Sequence, residues 1–315
     1  MTNKISSLSN IILQTSENAA IACYDWVGKG DEKSADAAAV KAMRKTLNEA
    51  NISGTVVIGE GERDEAPMLF IGEEVGQGGS QIDIALDPLE GTTICAHAGE
   101  SSLAVIAFAH KGCFLNAPDV YMDKIAIGGG LPDGIIDLDN NIEQNLKNLA
   151  QAKKCQISDL TAMILERSRH DEIIAKTREA GARVRLIGDG DVAGVISCSN
   201  PQSNIDIYMG IGGAPEGVLA AAALKTIGGQ MMGRLIFNDD QKQITRAHKM
   251  GITDLKRKYA INDMAQGDVL FACSGVTDGH MLEGVKKLQN IITVNSLIMD
   301  SASKKVTNIN SKYFQ

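Results

Sequence analysis

The chain has 315 residues, and single hydrophobic cores stop growing at roughly 250–300, so two sub-domains are expected. Hydrophobic residues at 44% exclude a disordered chain, and a formal net charge of −8 argues against a nucleic-acid or anionic-membrane surface. An acidic balance does not exclude an anionic substrate, because bound cations invert the local field of an acidic site.

In chain order, a first amphipathic helix is expected over Leu8–Tyr24, with Ile11, Ile12, Leu13, Ala19, Ala20 and Cys23 on its apolar faces. The polar stretch GKGDEKSAD leads into a second helix over Ser34–Ala50, whose buried stripe is Ala38, Val40, Met43 and Leu47. A short strand, Thr55–Ile58, runs into the acidic, glycine-containing loop GEGERDEAP. A second strand, Ile82–Leu86, ends in DPLEGTT; Leu103–Ala109 and the run YMDKIAIG follow as third and fourth strands. From about Asn141 the pattern becomes strand–helix alternation, the mark of an α/β region. It comprises a polar helix over 141–154, a strand over Leu160–Leu165 and a helix after His170. The strand RVRLIG then ends in DGD, and the strand IDIYMGIGG precedes the helix PEGVLAAAALKTIG. DVLFACSGV and IITVNSLIMD are the last expected strands, and the change of pattern puts a domain boundary at 155/156.

The N-terminal residues lack the charged, apolar and cleavage regions of a signal peptide, and no apolar run approaches the ~20 residues that span a bilayer. A soluble cytoplasmic protein is expected. The six cysteines form no CxxC or CxxH pair, which excludes a thiolate zinc site and leaves small buried hydrophobes in a reducing compartment.

Chemistry concentrates where strands end. VVIGEGERDE, DIALDPLEGTT and RLIGDGD each close an expected strand with carboxylates and glycines, and GIGGAPEG closes a fourth at a helix start. In open α/β sheets ligands bind outside the carboxyl ends of strands, so four such loops can converge on one site. Asp87 and Glu90 can both face one ion across a turn; the same residues also suit an Asp–Pro turn followed by a threonine cap at Thr92 or Thr93. Glu60, Glu62, Asp64 and Glu65 crowd the preceding loop, and Glu60 is nearest the strand end. Glu216, beside Pro215 in a first helical turn, suits the helix dipole, while the glycines before it leave N–H groups open to a phosphate. Asp36 sits near the start of the second helix. Two like charges about 4 Å apart repel by roughly 4 kcal/mol at an effective dielectric near 20, so converging carboxylates require a hard cation such as Mn²⁺ or Mg²⁺. Arg167, Arg169 and His170 offer cationic contacts for phosphate, or form a surface cluster with Asp171 and Glu172. Asp189 and Asp191 suit sugar hydroxyls, or a plain turn.

In fixed order over essentially the whole chain, GKGDEKSADAAAVKAMR, VVIGEGERDEAPML, DPLEGT, KGCFLNAPDVYM, RHD, DGDVA and IYMGIGGAPEGV resemble the class II fructose-1,6-bisphosphatases of bacteria, within the lithium-sensitive, metal-dependent phosphatase superfamily. The superfamily's usual Asp-Pro-x-Asp-Gly-Thr stands here with Glu90 as its second acid. The resemblance implies a layered α/β/α/β/α sandwich, with an α+β metal-binding sub-domain over 1–155 and an α/β sub-domain over 156–315 that completes the site. It implies one divalent cation on Asp36 and Glu60 and another on Asp87, Glu90 and Glu216, Mn²⁺ being preferred to Mg²⁺. It assigns catalysis to Thr92, Glu60 and Asp87. The substrate-contacting residues it implies are Glu90, Gly91, Thr92, Tyr121, Arg167, Ser168, Arg169, Asp189, Gly190, Asp191 and Gly213. Relatives vary at two positions: Lys is tolerated at that of Arg167, and some carry Arg at that of Thr93. The implied reaction removes the 1-phosphate of fructose 1,6-bisphosphate in gluconeogenesis, and the implied assembly is a dimer or tetramer. Sedoheptulose 1,7-bisphosphate or an inositol phosphate is the alternative substrate. A non-catalytic sugar-phosphate sensor is disfavoured, because all the expected acids and Thr92 are present.

Overall fold

A computed structural model describes residues 5–61 and 68–315. After a 3₁₀ turn (Ile5–Leu8), the chain runs through α1 (Ser9–Tyr24), α2 (Glu32–Glu49), β1 (Ile52–Ile58), β2 (Glu74–Val75), β3 (Ser80–Glu90), α3 (Thr92–Ala96) and β4 (Leu103–His110). It continues through β5 (Tyr121–Ile127), α4 (Ile142–Lys153), β6 (Thr161–Leu165), α5 (Asp171–Glu179), β7 (Arg183–Ile187), α6 (Asp191–Ser197), β8 (Ile207–Gly213), α7 (Ala214–Ile227), β9 (Gln230–Ile236), α8 (Gln241–Lys249), β10 (Lys258–Ala260) and α9 (Ile261–Met264). The last strands are β11 (Val269–Gly275), β12 (Lys286–Leu288), β13 (Ile291–Asp300) and β14 (Lys305–Phe314).

These elements form two compact units: Met1–Asn116 with Ala265–Gln315, and Ala117–Met264. The division differs from the expected one at 155/156, because the C-terminal strands return to the sheet begun by the first third of the chain. In the first unit the strand order is β12-β13-β11-β4-β3-β1-β2, with β14 paired to β13. Its β1–β3 pair is parallel and β3–β4 antiparallel, so the sheet is mixed. The second unit holds a six-stranded mixed sheet in the order β10-β9-β5-β8-β6-β7. Both units are therefore α/β in the sense the sequence implied.

The first unit's core explains its elements. Helices α1 and α2 pack on each other and on β3, burying Ile12, Ala19, Ala20, Cys23, Ala39, Met43 and Leu47 against Ile52, Val56, Ile84, Ile106 and Phe108. Burying each large aliphatic side chain contributes about 1.5–3 kcal/mol. Asp31 caps α2 by accepting from the Ser34 N–H at 3.0 Å, which starts the helix at Glu32, ahead of the expected Ser34. Strand β3 runs through Pro88 to Glu90, past its expected end at Leu86, because the register with β4 shifts between Asp87 and Glu90 and the bulge accommodates a residue with no N–H.

Strand β14 and helix α8 have no apolar pattern and were not expected from sequence. β14 alternates exposed and half-buried residues and pairs with the whole length of β13. Its hold on the core is Tyr313, which packs against the apolar cluster while its hydroxyl donates to Oε2 of the fully buried Glu17, whose Oε1 accepts from Ser296 Oγ at 3.0 Å. Burial and the adjoining Glu17 carboxylate push the Tyr313 phenol well up. Tyr313→Phe leaves a buried carboxylate oxygen without this donor, and is expected to lower stability by about 1–3 kcal/mol, read as a lower urea midpoint at unchanged slope.

Candidate active site

In the first unit the implied ligands stand on three elements. Asp36 lies on the first turns of α2, half-buried, and desolvation pushes its carboxyl up. Glu60 follows β1, with its backbone N–H donating to Leu69 O at 3.0 Å. A Cβ on Gly59 would stand 2.1 Å from that same carbonyl, so only glycine permits this exit from the strand. Glu62, Asp64 and Glu65 lie outside the described residues.

Asp87 and Glu90 flank the bulge that ends β3. Leu89 N–H donates to Asp87 Oδ1 at 3.0 Å, and Ser102 Oγ donates to the Glu90 carbonyl at 3.1 Å. Glu90 is buried. Gly91, at φ +79°, occupies the left-handed conformation and turns the chain into α3, which Thr92 opens. No side-chain hydrogen bond caps α3, so the threonine cap foreseen as an alternative is replaced by a glycine turn. The bulge and Gly91 set Asp87, Glu90 and Thr92 in one short, fixed segment.

In the second unit the expected anion-binding residues are built on β5, β6 and β8. The antiparallel register places Tyr121 opposite Gly213. The Arg169 guanidinium stacks 5.0 Å from the centre of the Tyr121 ring, and its Nε donates to Ile211 O at 2.9 Å. Arg167 and Ser168 precede it at the start of a 3₁₀ turn. His170 closes that turn and is buried: Ile211 N–H donates to its Nε2 at 2.8 Å, so Nδ1, 2.7 Å from Leu165 O, carries the proton. This neutral imidazole bolts the arginine turn to β8. Glu172 pairs with Lys176, so the surface cluster considered from sequence does not form around it.

Asp189 and Gly190 follow β7, and Gly190 at φ +91° starts α6. Asp191 is buried, and its carboxylate points into the unit: Oδ2 accepts from Lys124 Nζ and Oδ1 from the Tyr208 hydroxyl. Lys124 was not singled out from sequence; a lysine inside the apolar run MDKIAIG was the available signal.

Glu216 carries the clearest mark of a missing partner. It sits in the first turn of α7 behind Pro215, and its Oε2 is buried with no hydrogen-bond partner among the described residues. Burial pushes its carboxyl up; Lys124 opposes that shift and Asp191 adds to it. A Cβ on Gly213 would lie 1.8 Å from Oε2, so Gly213 is the room the carboxylate occupies. A buried acid oxygen with space kept around it and no donor suits a cation. Among the described residues no group of three or more His, Cys, Asp or Glu side chains is drawn together as a ready metal site.

A family model described as bacterial fructose-1,6-bisphosphatase, glpX-encoded, matches residues 6–313. The chain is 45% identical over 315 residues to a protein of Escherichia coli (strain K12) named fructose-1,6-bisphosphatase 1 class 2, covering 96% of this chain and 93% of that one. It is 40% identical over 335 residues to a protein of Crocosphaera subtropica (strain ATCC 51142 / BH68) named D-fructose 1,6-bisphosphatase class 2/sedoheptulose 1,7-bisphosphatase, covering 98% and 97%. A solved inositol monophosphatase from Anabaena (Nostoc) sp. PCC 7120 reaches a TM-score of 0.33 at 13% identity, over 62% of this chain and 72% of that one, a likeness too distant to bear on function.

The orphaned carboxylate makes a test that needs no turnover. Because the folded state raises its pKa, ionised Glu216 lowers stability above the ordinary carboxylate range, and the penalty is relieved as pH falls. With chelator at neutral pH, Glu216→Gln is expected to raise the melting temperature, relieving on the order of 1–3 kcal/mol, and to reduce the stabilisation Mn²⁺ gives the wild type.

Proposed function

The chain belongs to the glpX-encoded bacterial fructose-1,6-bisphosphatase family, and on that premise we propose that it hydrolyses the 1-phosphate of fructose 1,6-bisphosphate with the help of divalent cations. The observation that carries this reading is the unbroken family match over residues 6–313. Support for the metal comes from the buried oxygen of Glu216, which has no hydrogen-bond partner among the described residues, and from the acids that β1 and β3 carry at their ends in the first unit. Asp36 and Glu60 are the proposed ligands of one cation, and Asp87, Glu90 and Glu216 those of another, Mn²⁺ before Mg²⁺. When bound, such cations neutralise phosphate oxygens and supply an acidified water.

The chain's own residues do the rest. The Thr92 hydroxyl, on the first residue of α3, orients the attacking water, and Glu60 and Asp87 share the catalytic role. The water oxygen forms the new bond to phosphorus as the bond to the C1 oxygen breaks, and that oxygen takes a proton. Arg167 and Arg169 hold the distal phosphate. Arg169 needs little reorganisation, since Tyr121 and Ile211 O already orient it. Ser168, Tyr121, Gly213 and the segments Glu90–Gly91–Thr92 and Asp189–Gly190–Asp191 complete the substrate contacts. Among the described residues no helix is long and apolar enough to cross a membrane. The proposed setting is the cytoplasm, in gluconeogenesis, as a homo-oligomer. The Crocosphaera relative's name supports a second substrate, sedoheptulose 1,7-bisphosphate, which presents the same end to be hydrolysed.

Phosphate release from fructose 1,6-bisphosphate is expected with Mn²⁺ or Mg²⁺ and absent with chelator. Asp87→Ala, Glu90→Ala and Glu216→Ala should each lower kcat by about a hundredfold or more, since a metal's share of the barrier is several kcal/mol. Near-normal turnover in all three would overturn the ligand assignment, and a panel with sedoheptulose 1,7-bisphosphate decides between one substrate and two.

A further inference from the structure

Lys124 is the most deeply buried cation described in the second unit, at 1% exposure, and it lies in the middle of β5 between β8 and β9. A buried ammonium is strongly unfavourable unless it is paired and hydrogen-bonded. Both conditions are met by two residues of the proposed substrate-contacting segments. Lys124 Nζ donates to Asp191 Oδ2 and, at 2.8 Å, to the Gly213 carbonyl. Asp191 Oδ1 takes its second donor from Tyr208, which is itself fully buried. The sequence is shaped around this cluster: a Cβ on Gly212 would stand 2.1 Å from Asp191 Oδ2 and 3.0 Å from Lys124 Nζ.

Two consequences follow from this geometry. The Asp191 carboxylate has both oxygens engaged inside the unit, so it acts inward. The Lys124 ammonium, meanwhile, ties two segments that are far apart in sequence: the Asp189–Asp191 turn after β7, and the Gly213 turn that leads into Glu216.

We propose that Lys124 is a positioning residue for substrate binding: through Asp191, steadied by Tyr208, and through the Gly213 carbonyl, it holds the Asp189–Asp191 and Gly213 segments in the one arrangement that receives the sugar phosphate. The role rests on the bisphosphatase reading above. It differs from that of a plain buried ion pair in what its loss changes. A purely structural pair, once broken, lowers the melting temperature and leaves the folded enzyme's affinity alone. A positioning group, once removed, weakens affinity in molecules that are still folded.

The test uses Lys124→Met, which keeps length and removes charge, and Tyr208→Phe, which removes the hydroxyl that donates to Asp191. Melting temperature, kcat and KM for fructose 1,6-bisphosphate at saturating Mn²⁺ are measured, with the calorimetric Kd for fructose 6-phosphate. Lys124→Met is expected to raise KM and Kd by about tenfold or more and Tyr208→Phe by about threefold, with kcat changed less than KM. If the folded variants keep KM and Kd within about twofold of wild type while only the melting temperature falls, Lys124 is structural and the proposal is overturned. Should Lys124→Met fail to fold, Tyr208→Phe decides by the same criterion. A wild type that binds fructose 6-phosphate without hydrolysing the bisphosphate removes the functional reading, and the Kd comparison still decides the positioning role. A wild type that does neither overturns both.

Discussion

Too few cations for the buried carboxylates is the constraint around which the second unit is arranged. Asp191 and the Oε2 oxygen of Glu216 are both taken out of water on neighbouring segments, and the Asp191 carboxylate makes Glu216 harder to ionise. Lys124 answers Asp191 with a direct ion pair and reaches Glu216 only through space. The two acids therefore have different fates. Asp191 is satisfied within the protein and becomes part of the scaffold, whereas Glu216 keeps an oxygen with no partner. A protein that merely needed stability would fare better with an apolar residue there. A carboxylate held unsatisfied, with Gly213 keeping space for it, is the arrangement expected of a group whose counter-charge arrives from solution.

The same physics explains why glycine carries so much of the site. Gly212 and Gly213 are consecutive, and neither has room for a methyl group: one faces the Lys124–Asp191 pair and the other the Glu216 carboxylate. Gly91 and Gly190 serve differently, each taking a left-handed conformation that ends a carboxylate-bearing segment and starts a helix. In the first unit, β3 reaches its last acids through a bulge, which twists a strand and re-aims the side chains on it. These acids are thus placed by backbone devices, a bulge before Glu90 and glycines at the segment ends.

How much of this could be read from sequence depended on which interactions left a pattern. The helices and strands that bury an apolar stripe, such as α2 with Val40, Met43 and Leu47 or β13 with its run IITVNSLIMD, were legible within a few residues, because periodic burial is what sequence records most directly. β14 was not, since it is held by pairing to β13 and by the buried Glu17–Tyr313 contact. The compact units divide the chain differently from the expected boundary for a related reason: nothing local in β11–β14 says that they rejoin the first sheet. Within the site, the acids and arginines stood out as clusters at strand ends. Lys124 and Tyr208 did not, because one lysine or tyrosine in an apolar strand has no spacing to recognise. The glycines of GIGG were read as open N–H donors for phosphate, whereas two of them are defined by the side chains that press on their α-carbons.

Burial and reactivity are linked at the arginine turn in the opposite sense. Arg167 and Arg169 are exposed, so a phosphate bound there competes with water and its affinity depends on how little the side chains must reorganise. The structure limits that reorganisation from beneath. His170 is buried in a neutral form fixed by one acceptor and one donor, and Arg169 is already oriented by the Tyr121 ring and the Ile211 carbonyl. These two hydrogen bonds make the imidazole a fixed strut beneath the turn. The turn's charge is thus carried by its guanidinium groups, and its shape by the histidine beneath them.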